Sequence, residues 1–134
     1  MELLNIKNII KKFDETSNQI IGAAIEVHKT LGPGFLESIY HNSIKMELEK
    51  RDLSYETEKV IGIKYKDGKV GEHRLDLVVN NEVVIELKTV QDITDIHVAQ
   101  VISYLKASNL KLGLILNFSK NIIDIKRVVL GYED

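Results

Sequence analysis

The sequence predicts a mixed α/β domain, one β-sheet with helices packed against it. Three observations carry that prediction. Two segments with helical spacing open the chain, the apolar period falls to two past Arg51, and helical spacing returns once before two further strand-like runs. The expected order is helix, helix, three strands, helix, strand, strand.

From about Glu15 to Leu31, Ile20, Ile21, Ala24, Ile25, Val27, His28 and Leu31 recur at helical spacing, with Thr16 or Ser17 as the expected N-cap. Gly32-Pro33-Gly34 then stops the helix, because glycine tolerates positive φ and the residue before proline disfavours the α region. "FLESIYHNSIKMELEKR" is the second helix, with Leu36, Ile39, Tyr40, Ile44 and Leu48 as its buried stripe. "KVIGIKYKDGKVGEHRLDLVVNNEVVIELKTV" holds three strands, separated by the turn signals "KDGK" and "NNE". "DITDIHVAQVISYLKASN" is helical through Ile93, Ile96, Val101, Ile102 and Leu105; "LKLGLILNF" reads as a buried strand and "IIDIKRVVL" as a last one.

With 134 residues, one proline, no repeat and no low-complexity stretch, residues 1–134 read as a single domain with one modest core. A net charge of -2 leaves no global positive excess to draw the chain onto a polyanion, although a local basic patch can still act. The absence of cysteine removes disulfides, thiolate nucleophiles and cysteine-held metals, and four scattered histidines do not suit a structural zinc. "MELLNIKNIIKKFDE" has no apolar h-region, and no segment approaches the ~20 apolar residues that span a bilayer. A cytoplasmic address without membrane association is expected.

The chemistry concentrates in "RLDLVVNNEVVIELKTV". Leu75, Leu77 and Val79 alternate along one strand and Val83, Ile85 and Leu87 along the next. If both sets face one core, Val79 pairs with Val83, Leu77 with Ile85 and Leu75 with Leu87, around a three-residue loop Asn80-Asn81-Glu82. That register sets Asp76 across from Glu86 and Arg74 across from Lys88, on one face. Two carboxylates about 5 Å apart across a sheet repel. A divalent cation would turn that cost into a site, since Mg²⁺ is held by one or two carboxylates with waters and phosphate oxygens. Lys88 would stand beside it, able to orient or deprotonate water or to stabilise developing negative charge. The plain alternative is a solvated sheet face carrying ordinary charges. Against it stand Val78 and Val84 on the same face, and a following helix that must cover one side of the sheet.

An acidic strand residue, a Glu-x-Lys in the next strand, and a helix with Gln100 and Tyr104 four apart together resemble the PD-(D/E)XK nuclease superfamily. "GFLESIY" matches a Gly-x-x-Glu-x-x-Tyr pattern at Gly34, Glu37 and Tyr40, so the chain is similar to the GxxExxY branch from about Ile20 to Val129. The resemblance implies a restriction-endonuclease-like αβββαβ core, one mixed sheet flanked by helices, that binds Mg²⁺ or Mn²⁺ and hydrolyses phosphodiesters. It would make Asp76 and Glu86 metal ligands, Lys88 the catalytic lysine, and Glu37 an acid reaching the metal directly or through water. Gln100 and Tyr104 would belong to the motif helix beside the site. Leu75 stands where the family name has proline. Nucleic acid, with DNA favoured, is the implied substrate, and the small size suggests a homodimer or a larger partner for targeting. The alternative is a catalytically silent fold acting as a binding or regulatory module.

Other residues carry two readings each. Glu37 in a first helical turn also suits the helix dipole, and Tyr104 suits a core position. His97 can contact phosphate or serve the helix; Arg74 can meet phosphate or pair with Glu72 or Asp76. Tyr40 buries its ring and supports the site. His73 is expected at a strand end, and His28 at the edge of the first helix. The lysines, Lys64 and Lys106 among them, either line a groove or sit on a mixed solvated surface.

Overall fold

A computed structural model describes the backbone of residues 2–131 and the side chains from residue 15 onward. Helices α1 (Glu2–Leu31) and α2 (Glu37–Lys50) precede strands β1 (Tyr55–Tyr65), β2 (Gly68–Val79) and β3 (Val83–Lys88). Helix α3 (Asp95–Ser108) and strands β4 (Leu112–Asn117) and β5 (Asp124–Val129) follow. The predicted element order and the mixed α/β class hold.

The first helix starts well before Glu15, and neither Thr16 nor Ser17 caps it. No glycine or proline interrupts the preceding stretch, and both residues are buried inside the helix. Ser17 instead accepts a hydrogen bond from Arg127 Nη2 of β5 at 2.9 Å. Gly32, at φ +71°, does end α1. Among the described residues no helix is long and apolar enough to cross a membrane.

The five strands form one sheet in chain order, β1-β2-β3-β4-β5. Only β3 and β4 are parallel, and α3 lies in the connection between them, as a parallel pair requires. One face carries Leu77, Val79, Val83, Ile85, Leu87, Leu114 and Leu116 against α1 and α2. The other carries Leu75, Val78, Val84 and Ile115 against α3. The helix comes so close at Gly113 that an added Cβ would lie 2.6 Å from Val101 Cγ1; only glycine fits there.

The central hairpin has the predicted three-residue loop, with Asn80 and Asn81 at φ 53° and 54°. Val79 pairs with Val83 and Leu77 with Ile85 as expected, but the ladder stops there. Leu75 does not pair with Leu87; it faces the α3 side, opposite to Leu77. The cause lies in β1. Glu58 takes a left-handed φ of 51°, and the position opposite it, Asp76, is the one step missing between the Thr57–Leu77 and Lys59–Leu75 pairs. This break re-aims β2 as a bulge does. Beyond it, Gly68–Asp76 leaves β3 and stays with β1 as a two-stranded arm, so β2 and β3 fork at Asp76.

Candidate active site

The fork gathers the charged residues. Past the last ladder pair, the Leu87 N–H donates to Asp76 Oδ2 at 3.2 Å, so a carboxylate takes the place of the missing backbone acceptor. Glu86 points to the α3 side of β3, is only 6% exposed, and faces the Asp76 carboxyl. Burial first, then the neighbouring Asp76, push the Glu86 carboxyl up to about 9, while Lys88 pulls the other way. At neutral pH Glu86 therefore keeps its proton when no cation lies beside it.

Glu37 reaches this pair from the start of α2. Its carboxyl is raised by partial burial and by Asp76, and lowered by Lys88 and His41. The loop before it explains how it is held. Tyr40 stacks on Phe118 at 4.4 Å and 12°, donates its hydroxyl to the Gly32 carbonyl at 2.5 Å, and accepts from Phe35 N at 3.2 Å. Gly34 needs its positive φ of 106° for the turn into α2. The Gly34, Glu37 and Tyr40 spacing thus divides into a turn, a site carboxylate and a clamp.

Tyr104 approaches Glu86 from α3; burial, followed by the Glu86 and Asp76 charges, pushes its phenol up to about 12. The proton therefore stays on the phenol at neutral pH. Lys88 ends β3 beside Asn117 of β4, and its carbonyl accepts from Phe118 N at 3.0 Å. The chain just after it is tied down by Asn117, whose Oδ1 accepts from Val90 N at 3.0 Å and whose Nδ2 donates to Val90 O at 2.8 Å.

The remaining expected residues are not brought to the acids. Gln100 is exposed, its side chain makes no hydrogen bond among the described residues, and its carbonyl serves Ser103 Oγ. His97 closes a capping box with Thr94, its Nδ1 accepting from Thr94 N at 2.9 Å. Arg74 is not across from Lys88: the fork carries it away, it pairs in register with Val60, and its charge acts on Glu72. His73 lies within β2 and not at a strand end, because the strand begins earlier, at Gly68. His28 is buried at the base of α1, with Nε2 2.7 Å from the Lys120 carbonyl.

One residue of the site was missed in the sequence. His41 Nε2 lies 3.3 Å from the Asp76 carbonyl, and its charge acts on Glu37. A carbonyl only accepts, so the bond needs the proton on Nε2. The signal was available: His41 stands four residues after Glu37, on the same helix face.

Among the described residues no three Asp, Glu or His side chains form a cage. Asp76 and Glu86 still fit a hard, oxygen-seeking cation, because two carboxylates with waters and phosphate oxygens suffice for Mg²⁺. Their mutual repulsion in a buried place is what such a cation would relieve.

The sequence profile of the PD-(D/E)XK nuclease superfamily matches residues 14–128. The solved structure of SSO0001 superposes with a TM-score of 0.56 at 19% identity, covering 72% of this chain and 50% of that one, a likeness of fold. The chain spans about half the length of that protein. No curated protein matches the chain. A profile match over most of the sequence, on a five-stranded mixed sheet that gathers an Asp and a Glu-x-Lys at its fork, leads to one conclusion: the chain belongs to the PD-(D/E)XK nuclease superfamily.

Proposed function

We propose that this protein is a Mg²⁺- or Mn²⁺-dependent phosphodiesterase acting on nucleic acid, DNA in preference, and a member of the GxxExxY branch of its superfamily. The observation that carries the proposal is the carboxyl pair at the fork, buried Glu86 against half-buried Asp76, with Lys88 and Glu37 within electrostatic reach. Asp76 and Glu86 would hold the metal, and Glu37, outside ligand distance, would reach it through water. When bound, the metal supplies positive charge that stabilises the anionic phosphorane and acidifies a water. Lys88 brings its ammonium to the same place, where it stabilises charge growing on phosphoryl oxygens and orients the attacking water. Tyr104 flanks Glu86 from α3. His41 braces the Asp76 backbone, and Tyr40 fixes the loop that presents Glu37. Gln100 would meet substrate from the exposed side of α3, and Arg74 and His97 would act only peripherally. A homodimer, or a larger partner that delivers the substrate, remains part of the proposal.

A second reading, a silent binding module, draws support from one feature: Glu86 keeps its proton in the metal-free fold, and among the described residues the acids do not frame a three-carboxylate cage. Thermal melts with and without about 10 mM Mg²⁺ or Mn²⁺, a concentration above the Kd of a weak site, test the metal site. The expected result is a rise in Tm for the wild type that Asp76→Ala abolishes. Cleavage of plasmid or single-stranded DNA, lost in Lys88→Ala, then distinguishes enzyme from binder. No response to either metal would overturn the leading reading.

A further inference from the structure

Behind the acid site, the two-stranded arm of β1 and β2 curls toward α3 and encloses a cleft of about 520 Å³. Lys64 and His73 reach it from the arm and Ser103 and Lys106 from the helix, while Gly62 and Ala107 leave it room. Among the described residues no carboxylate lines it, although the whole chain carries 20 acids against 18 lysines and arginines. Other lysines of the same arm are paired: Lys59 lies 3.4 Å from Glu56 and Lys69 lies 2.8 Å from Glu72. Lys64 and Lys106 have no such partner among the described residues. Two unpaired ammonium groups, an imidazole and a hydroxyl around one recess make a place selective for an anion.

The cleft is joined to the acids. The His73 ring packs edge-on against Tyr104 at 4.7 Å, its Nε2 lies 3.3 Å from Ser103 Oγ, and Tyr104 lies within electrostatic reach of Glu86 and Asp76. A volume of about 520 Å³ lies in the range of small-ligand sites and takes one nucleotide, not a duplex.

We propose that this cleft is a second phosphate subsite, which takes one nucleotide of a single strand whose neighbouring phosphate lies at the Asp76–Glu86 fork. Lys64 and Lys106 contact its phosphate from opposite walls; Ser103, which donates to the Gln100 carbonyl, and His73 against it form the floor. The assignment rests on nucleic acid being the substrate of the acid site and says that the strand enters unpaired.

The test measures binding without metal, so it does not depend on turnover. Fluorescence anisotropy of a labelled thymidine strand of about 12 nucleotides, within the usual single-strand site sizes, is followed in EDTA over a range of salt. The Lys64→Ala/Lys106→Ala double variant is expected to bind about tenfold more weakly. Its log–log salt slope should be shallower by about 1.4, two single-strand phosphate contacts at about 0.7 each. Lys69→Ala, on the same arm and outside the cleft, should bind as the wild type does. Equal affinity and slope for wild type and double variant would overturn the proposal, as would no binding by the wild type. If thymidine monophosphate alone shifts the amide resonances of Gly62, Ser103 and Ala107 while the strand does not bind, the cleft is a free-nucleotide pocket and the strand assignment falls. If the strand binds through these lysines and is never cut with Mg²⁺ or Mn²⁺, the hydrolytic reading falls and the subsite stands.

Discussion

Two polar side chains are buried near the ends of neighbouring strands, Asn117 in β4 and Glu86 in β3, and their surroundings treat them in opposite ways. Asn117 is fully buried and bonds only to backbone: it accepts from Val90 N and Ser119 N and donates to Val90 O. Glu86 is nearly as buried, but its polar neighbours are another carboxyl and a phenol. A satisfied buried amide fixes one chain path, whereas a buried carboxyl beside a second one carries a desolvation cost that only a proton or a cation relieves. Burial alone does not mark a functional group; burial with a partner of the same sign does.

Removing each group should therefore have opposite consequences. Asn117→Ala strands the Val90 N–H, while the Val90 carbonyl keeps the Ser119 hydroxyl as a donor; at about 1–3 kcal/mol for one buried unsatisfied group, a loss of about 2 kcal/mol is expected. The urea midpoint should fall with an unchanged m-value. A loss below about 1 kcal/mol would mean that water replaces the amide, and that Asn117 does not anchor the end of β3.

For Glu86 the effect depends on pH. The folded state holds the proton more tightly than the unfolded chain, whose Glu titrates near 4.5, against about 9 in the fold. The contribution is whole below the unfolded value and is lost as pH rises toward the folded one, with a slope of at most about 1.4 kcal/mol per pH unit. Without metal, the wild type should lose stability from pH 5 to 8, roughly the range those two values bracket. Glu86→Gln should flatten that profile and be the more stable protein at neutral pH, by about 1–3 kcal/mol. Parallel profiles for the two proteins would show that Glu86 is ionised in the metal-free fold.

How much of this was legible in the sequence follows from the range of each signal. The loop at Asn80–Glu82 and the pairing of Leu77 with Ile85 came from period-two alternation, a local property that one buried face enforces. The fork did not, because it is set by Glu58, a residue on the neighbouring strand with a left-handed backbone that nothing in "ETEKV" announces. The alternation therefore correctly brought Asp76 and Glu86 together while misplacing Leu75 and Arg74. Glu37 and Tyr104 are distant in sequence from that pair, and only the resemblance to a known family pointed to them. His97 read as a structural histidine ahead of a phosphate contact, and its ring does bond the Thr94 backbone at the start of α3. The cleft at Lys64 and Lys106 arises from the curl of the arm over α3, a tertiary property with no sequence period.

The next contrast is smaller and concerns occupancy. A cation at Asp76 and Glu86 must displace the proton that Glu86 holds, so metal binding and pH are linked. At a Mg²⁺ concentration roughly tenfold above Kd the stabilisation should be about 1.4 kcal/mol. Melting curves should show a larger metal-induced rise at pH 8 than at pH 6, and none in Asp76→Asn at either pH. A rise that is equal at both pH values would place the cation away from the carboxyl pair.

The smallest effect is expected at Tyr40, and it separates the clamp from the core. Tyr40→Phe keeps the ring stacked on Phe118 and removes only the hydroxyl that joins Gly32 to Phe35. The stability change should be about 1 kcal/mol, that of a typical hydrogen-bonded hydroxyl. Yet the loop it releases is the one that presents Glu37, so metal affinity or cleavage should fall by more than the stability change implies. Asn117→Ala, by contrast, should lose more stability and leave Glu37 where it is. If Tyr40→Phe loses stability and keeps its full metal response, the clamp serves the fold alone, and Glu37 is held by α2 without help from its loop.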